Sequence, residues 1–190
     1  MFRDSRSRIK KSQKTPNQIQ NEEEPMRWND WGSALELSCM WQMTQVQETA
    51  VKKILESRVS ADDQKVLLKL SSKLGITEIR NRAIQALSGA LQPIERVKFG
   101  MECQVDSWLL EGLRQLVEAP GGISVEHEKR LEWNITSRLF RVREQYLQTR
   151  NSTYGHYNTY HTAPNTRSFV TDRIKEVFAE ELKNAVWVEK

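Results

Sequence analysis

The chain has 190 residues, a formal charge of +4 and an apolar share of 38%, room for one domain with polar ends and too little net charge to single out a polyanionic partner. Cys39 and Cys103 lie far apart, each inside an apolar helical pattern, which excludes the close, even spacing of a secreted disulfide framework. No window approaches the ~18 apolar residues of a bilayer span, and no apolar core follows the basic N-terminus as a secretory signal requires. The expected setting is intracellular, cytoplasm or nucleus, with two free thiols and no membrane contact.

Residues 1–27 are polar and charged, with Arg3, Arg6, Arg8, Lys10, Lys11 and Lys14 followed by Glu22–Glu24. So little apolar surface cannot offset the entropy of ordering, and the stretch is expected to be a disordered arm. Asp30 then serves as a predicted N-cap for a helix carrying Trp31, Ala34, Leu35, Ser38 and Trp41. Thr44 with Gln47 reads as a capping box for a second helix with Val46, Ala50, Val51 and Ile54 on one stripe.

The same pattern then returns 33 positions later. Leu35, Leu37, Ser38, Thr44 and Ala50 match Leu68, Leu70, Ser71, Thr77 and Ala83. Between these identities the apolar class is kept: Trp41 with Leu74, Met43 with Ile76, Val46 with Ile79, Val51 with Ile84, Ile54 with Leu87. A fixed period with apolar spacing in step is the mark of stacked helix–turn–helix units, each burying its apolar face against a neighbour. Ser60 and Asp63 open the second copy, and Gly75 suits a left-handed stop to its first helix. Thr77 is the predicted cap of its second helix. Ala50 and Ala83 predict close helix–helix approach.

A third, degenerate pair follows. Pro93 fits the first position of a helix with Ile94, Val97 and Met101. Asp106 is the expected cap of a helix with Leu109, Leu113, Leu116 and Val117, stopped at Pro120-Gly121-Gly122. Ser124 starts a short helix, and Ile135, Leu139, Val142 and Tyr146 mark a longer one. No strand alternation occurs in 28–150, so this segment is an all-α domain of stacked helical hairpins. Residues 151–167 read as a polar, tyrosine-rich linker. The segment 168–190 carries an amphipathic helix over 169–186, with Val170, Ile174, Val177, Phe178, Leu182 and Val186 on one side; docking back on the stack is expected, since a lone helix of that length is marginal in water.

Trp31 through Trp41, Val66 through Leu87, Pro93 through Leu116 and Ile123 through Glu144 together resemble, in order and spacing, the helical C-terminal region of BTB/POZ-domain proteins of mushroom-forming fungi. The similarity covers about 28–147. Glu132 stands where that family has glycine, and residues 1–27 are too short and polar to be the BTB module. The resemblance implies BACK-like or α-solenoid-like hairpins and a non-enzymatic adaptor that binds protein partners. It carries over no dimerisation, no ligase recruitment and no catalytic residue.

The remaining chemistry is sparse. His156 and His161 lie in a polar segment without nearby cysteine, so no metal site is expected. Cys103 and His127 would need an accident of fold to act as nucleophile and base. The glycines are scattered stops, with no phosphate-cradling run. No catalytic residue, cofactor or metal is expected. The alternative reading is a nucleic-acid or anion binder through Arg3, Arg6, Arg8, Lys10, Lys11 and Lys14, joined by Arg130, Arg138, Arg141, Arg143 and Arg150. Trp31, Trp41, Trp108 and Trp133 fall in or beside apolar stripes and are expected in the core rather than as stacking platforms.

Overall fold

The doubled Leu-x-Leu-Ser pattern folds as two helical hairpins laid side by side, and a third hairpin continues the row. The computed structural model describes residues 26–154 and 166–187; the basic arm up to residue 25, most of the tyrosine-rich segment and the last three residues lie outside the described residues. The hairpins are α1 (Trp28–Met40) with α2 (Thr44–Glu56), α3 (Ala61–Leu74) with α4 (Thr77–Leu87), and α5 (Pro93–Glu102) with α6 (Asp106–Glu118). A closing group follows: α7 (Val125–Arg130), α8 (Trp133–Tyr154), α9 (Thr166–Val177) and α10 (Ala179–Asn184). The fold is all-α; the described residues hold no strand, only an isolated bridge between Val105 and Val186.

The third hairpin is the same unit at a shorter period. Gln42, Gly75 and Gln104 all take a left-handed φ, at 56°, 75° and 56°. In each turn the next N–H reaches back to a carbonyl five residues earlier: Met43 to Ser38 at 2.8 Å, Ile76 to Ser71 at 2.9 Å, Val105 to Gly100 at 2.9 Å. These are three Schellman closures in register. Gly100 thus occupies the place of Ser38 and Ser71, with the offset shortened from 33 to 29. A β-carbon there would lie 2.7 Å from the Leu109 amide nitrogen, so the third pair is packed too tightly for serine.

Hairpins join through shared apolar clusters. Leu35, Ala50 and Ile54 meet Leu67 and Ile79, with Leu70, Leu74 and Ile76 packed against them. On the other side of the second hairpin, Leu68, Ala83 and Leu87 meet Leu91, Cys103, Val105 and Trp108. The far face of the third hairpin is closed over by α8 and α9: Leu113, Leu116 and Val117 share one core with Ile135, Leu139, Val142, Val170, Ile174 and Phe178. The C-terminal segment therefore docks on its own stack, as expected of a helix too short to be stable alone. Burial of many such side chains, worth about 1.5–3 kcal/mol each before entropy is counted, holds the row together.

Arginines finish the helix ends. The last carbonyls of a helix have no partner inside it. Arg82 of α4 donates to the carbonyls of Ile54, Leu55 and Ser57 at the end of α2. Arg96 of α5 donates to Ser88 and Leu91 after α4, and Arg143 of α8 donates to Val117 near the end of α6. These three donors come from later elements than the helices they close, whereas Arg80 of α4 and Arg138 of α8 donate to carbonyls at the ends of α5 and α9.

Several details differ from the sequence reading. The cap positions fall one residue early: Met43, Ile76 and Val105 precede the second helices, so Thr44, Thr77 and Asp106 begin the helices themselves. Met43 gives no side-chain cap; its carbonyl instead accepts from Gln47 N–H at 3.0 Å. The first helix starts at Trp28, and Asp30 sits inside it, accepting from Arg27 N–H at 2.8 Å. Ser60 and Ser124 do cap as expected, receiving Asp63 N–H and His127 N–H. Helix α8 continues through Tyr154, and the predicted helix over 169–186 is interrupted at Phe178.

Candidate interaction surface

Two of the four tryptophans expected in the core are on the surface. Trp133 is 76% exposed at the start of α8 and Trp41 is 65% exposed at the end of α1, whereas Trp108 is buried and Trp31 half-buried. Helical spacing identifies an apolar stripe but does not say whether a neighbour covers it. For Trp41 the missing neighbour can be named from the repeat.

The second hairpin packs on the first through Leu67, Leu70, Leu74, Ile76 and Ile79. One repeat earlier these positions are Ala34, Leu37, Trp41, Met43 and Val46. Leu37, Trp41, Met43 and Val46 are all exposed, Ala34 is half-buried, and adjacent Met40 is also exposed. Val46 is 39% exposed where its counterpart Ile79 is 2%. The stack thus presents, at its first edge, the apolar docking face that its second unit uses internally. The spacing of Asp30, Ala34, Leu37 and Trp41 at i, i+4, i+7 and i+11 sets these residues in one row along α1. Val46, Thr49 and Lys53 continue the face on α2. An exposed cluster of four large apolar side chains is the kind of patch that marks a contact site.

A groove of ≈ 750 Å³ lies at the joint of the first two hairpins, between α2 and the start of α4, with Val51, Leu55 and Ile76 among its lining and Glu48, Glu56 and Glu78 outnumbering Lys52. It lacks convergent buried polar groups of the kind that orient a small ligand.

The arginine row does not act as one basic face. Arg138 bonds the Glu181 carboxylate and the Val177 carbonyl and lies 4.7 Å from the Phe178 ring centroid. Arg143 is used on Val117, and Arg130 lies 4.0 Å from Glu126. Arg141 and Arg150 are exposed. Arg3, Arg6, Arg8, Lys10, Lys11 and Lys14 lie outside the described residues, as do His156 and His161.

The remaining titratable groups are structural. Arg80 is buried against the Trp187 ring, 4.5 Å from its centroid, and donates to the carbonyls of Cys103 and Gln104; burial lowers its pKa. Cys39 and Cys103 are both free, and burial pushes both thiols above their ordinary value. His127 Nδ1 accepts from Ser124 N–H at 3.3 Å, closing a helix start. Among the described residues no three or more His, Cys, Asp or Glu side chains are grouped to hold a metal. No helix among them is long and apolar enough to cross a membrane.

The 33-residue offset marks the edge positions in the sequence; what sequence alone does not supply is which hairpin leaves them uncovered. Comparison with protein-family models, with curated proteins and with solved structures finds no match to this chain.

Proposed function

We propose that this chain is a non-enzymatic protein-binding module that docks partners on the open edge of its first helical hairpin. The observation that carries the reading is the pairing of Leu37, Trp41, Met43 and Val46, exposed, with Leu70, Leu74, Ile76 and Ile79, which are packed at the same repeat positions. A surface already shaped to receive a helical neighbour needs no rearrangement to bind one, and this lowers the entropic cost of association. Trp and flanking aliphatics are the side chains that dominate binding energy at such contacts. The resemblance to the helical region of fungal BTB/POZ-domain proteins supports an adaptor role in the same direction. An intracellular setting is supported by the two free cysteines.

A photo-reactive phenylalanine analogue placed at Trp41, with a second preparation carrying it at exposed Phe140 as the control, tests the reading. The expected result in cell extract is a cross-linked product heavier than one chain, formed from position 41 and lost with Val46→Lys. Product from neither position, or equally from both, would count against an edge-docking module.

A further inference from the structure

We infer that the partner on this edge is a second copy of the same chain, giving a two-fold dimer in which the first hairpins meet face to face. The inference rests on the edge-docking reading and adds the identity of the occupant.

Three observations point this way. The edge continues an interface the molecule already makes: its positions are those that close the joint between the first and second hairpins.

The opposite end of the stack is closed by α8 and α9, with Leu116, Val117, Leu139 and Ile174 sealed in one core. Outside that core α8 exposes Trp133, Phe140 and Leu147 at i, i+7 and i+14, so a head-to-tail row would be sensitive to Phe140→Glu. Edge-on-edge contact sets like positions against each other, is isologous and stops at two.

The face is also self-compatible in charge and adequate in size. Along its two helices it carries Asp30 near one end and the Lys53–Glu56 ion pair, at 3.2 Å, near the other, so two copies meet through an apolar centre with no charge inside it. From their exposures, Leu37, Met40, Trp41, Met43 and Val46 offer on the order of 500 Å² per copy. Two such faces reach the ~1,000 Å² that a specific interface requires.

Sedimentation velocity on the full chain alone, from about 1 to 200 μM, tests this. The expected result is a concentration-dependent monomer–dimer equilibrium. Trp41→Glu with Val46→Glu should weaken it by about a hundredfold or more while leaving far-ultraviolet circular dichroism unchanged, because both positions are surface positions of the monomer. Phe140→Glu should leave the equilibrium unaltered. A chain that stays monomeric up to 200 μM, or a dimer indifferent to the edge substitutions, overturns the inference. A monomer whose position 41 still cross-links a different protein in extract would overturn the second-copy assignment while leaving the docking function standing.

Discussion

Gly112 of α6 lies against Val97 of α5 so closely that a β-carbon on it would sit 2.9 Å from the Val97 Cγ2 and 2.8 Å from the Pro93 carbonyl oxygen. At the equivalent places the first two hairpins carry Ala50 and Ala83, both fully buried. The third hairpin is therefore the tightest of the three, and its glycine is there for space. Gly112→Ala is expected to destabilise the fold by about 1–3 kcal/mol through overpacking. That would happen despite alanine's advantage of roughly 1 kcal/mol in a helix interior. Urea titration followed by circular dichroism reads it; a stabilised variant would show that the helices part at no cost.

Val46 and Ile79 share a repeat position and should respond oppositely to charge. In a Trp41→Glu background, Val46→Lys is expected to shift unfolding free energy by less than about 0.5 kcal/mol. Ile79→Lys places an unpaired ammonium between two hairpins and should cost roughly 3–5 kcal/mol or prevent folding. Thermal melts of the two variants, prepared in parallel, distinguish them. Similar losses at both sites would mean that the edge is covered in the monomer.

The Glu181 carboxylate accepts from Arg138, which holds its pKa below the ordinary value near 4.5. A carboxylate depressed in the folded state stabilises fully above its unfolded value, and that stabilisation is lost as pH falls through the folded pKa. Both side chains are about a fifth exposed, so solvent screening keeps the contribution modest. Glu181→Gln is expected to cost about 1 kcal/mol at pH 7 and much less at pH 3. Chemical denaturation from pH 7 down to pH 3 gives the slope; an undiminished cost at the acid end would rule out the ion pair as its cause.

Cys39 is half-buried at the outer end of α1, whereas Cys103 is buried behind Trp108 and Leu68. Burial raises both thiol pKa values, so both should react slowly, and Cys103 far more slowly. A disulfide reagent at pH 8 should label Cys39 first in the native protein. Labelling of Cys103 should follow the opening of the second cluster and accelerate with denaturant. Mass spectrometry of the labelled peptides identifies the order; equal rates would contradict the burial of Cys103.

The first two hairpins were legible because they repeat Leu-x-Leu-Ser and a buried alanine at one fixed offset. The third is masked as an equal member for two physical reasons: its first helix has 10 residues against 13 and 14 in the others, and its two crossing residues changed from serine and alanine to glycine. The break at Phe178 carries no glycine or proline to announce it. Trp41 and Trp133 show the limit of periodicity most clearly. Each sits in or beside an apolar stripe, yet among the described residues no neighbouring unit packs over it. The basic arm, the alternative site, lies outside the described residues, and within α8 Arg138 and Arg143 turned inward to finish other helices.

The arginine closures bear on how the protein comes into being. The carbonyls at the end of α2 gain their side-chain donor only when Arg82 has been synthesised, those just after α4 only with Arg96, and Val117 of α6 only with Arg143. During translation these three helices leave the ribosome with ends that a following stretch of chain ties off, while Arg80 and Arg138 are made before the carbonyls of α5 and α9 that they bond. Excised hairpins would fray, and the assembled row should melt in one cooperative step instead of shedding modules singly.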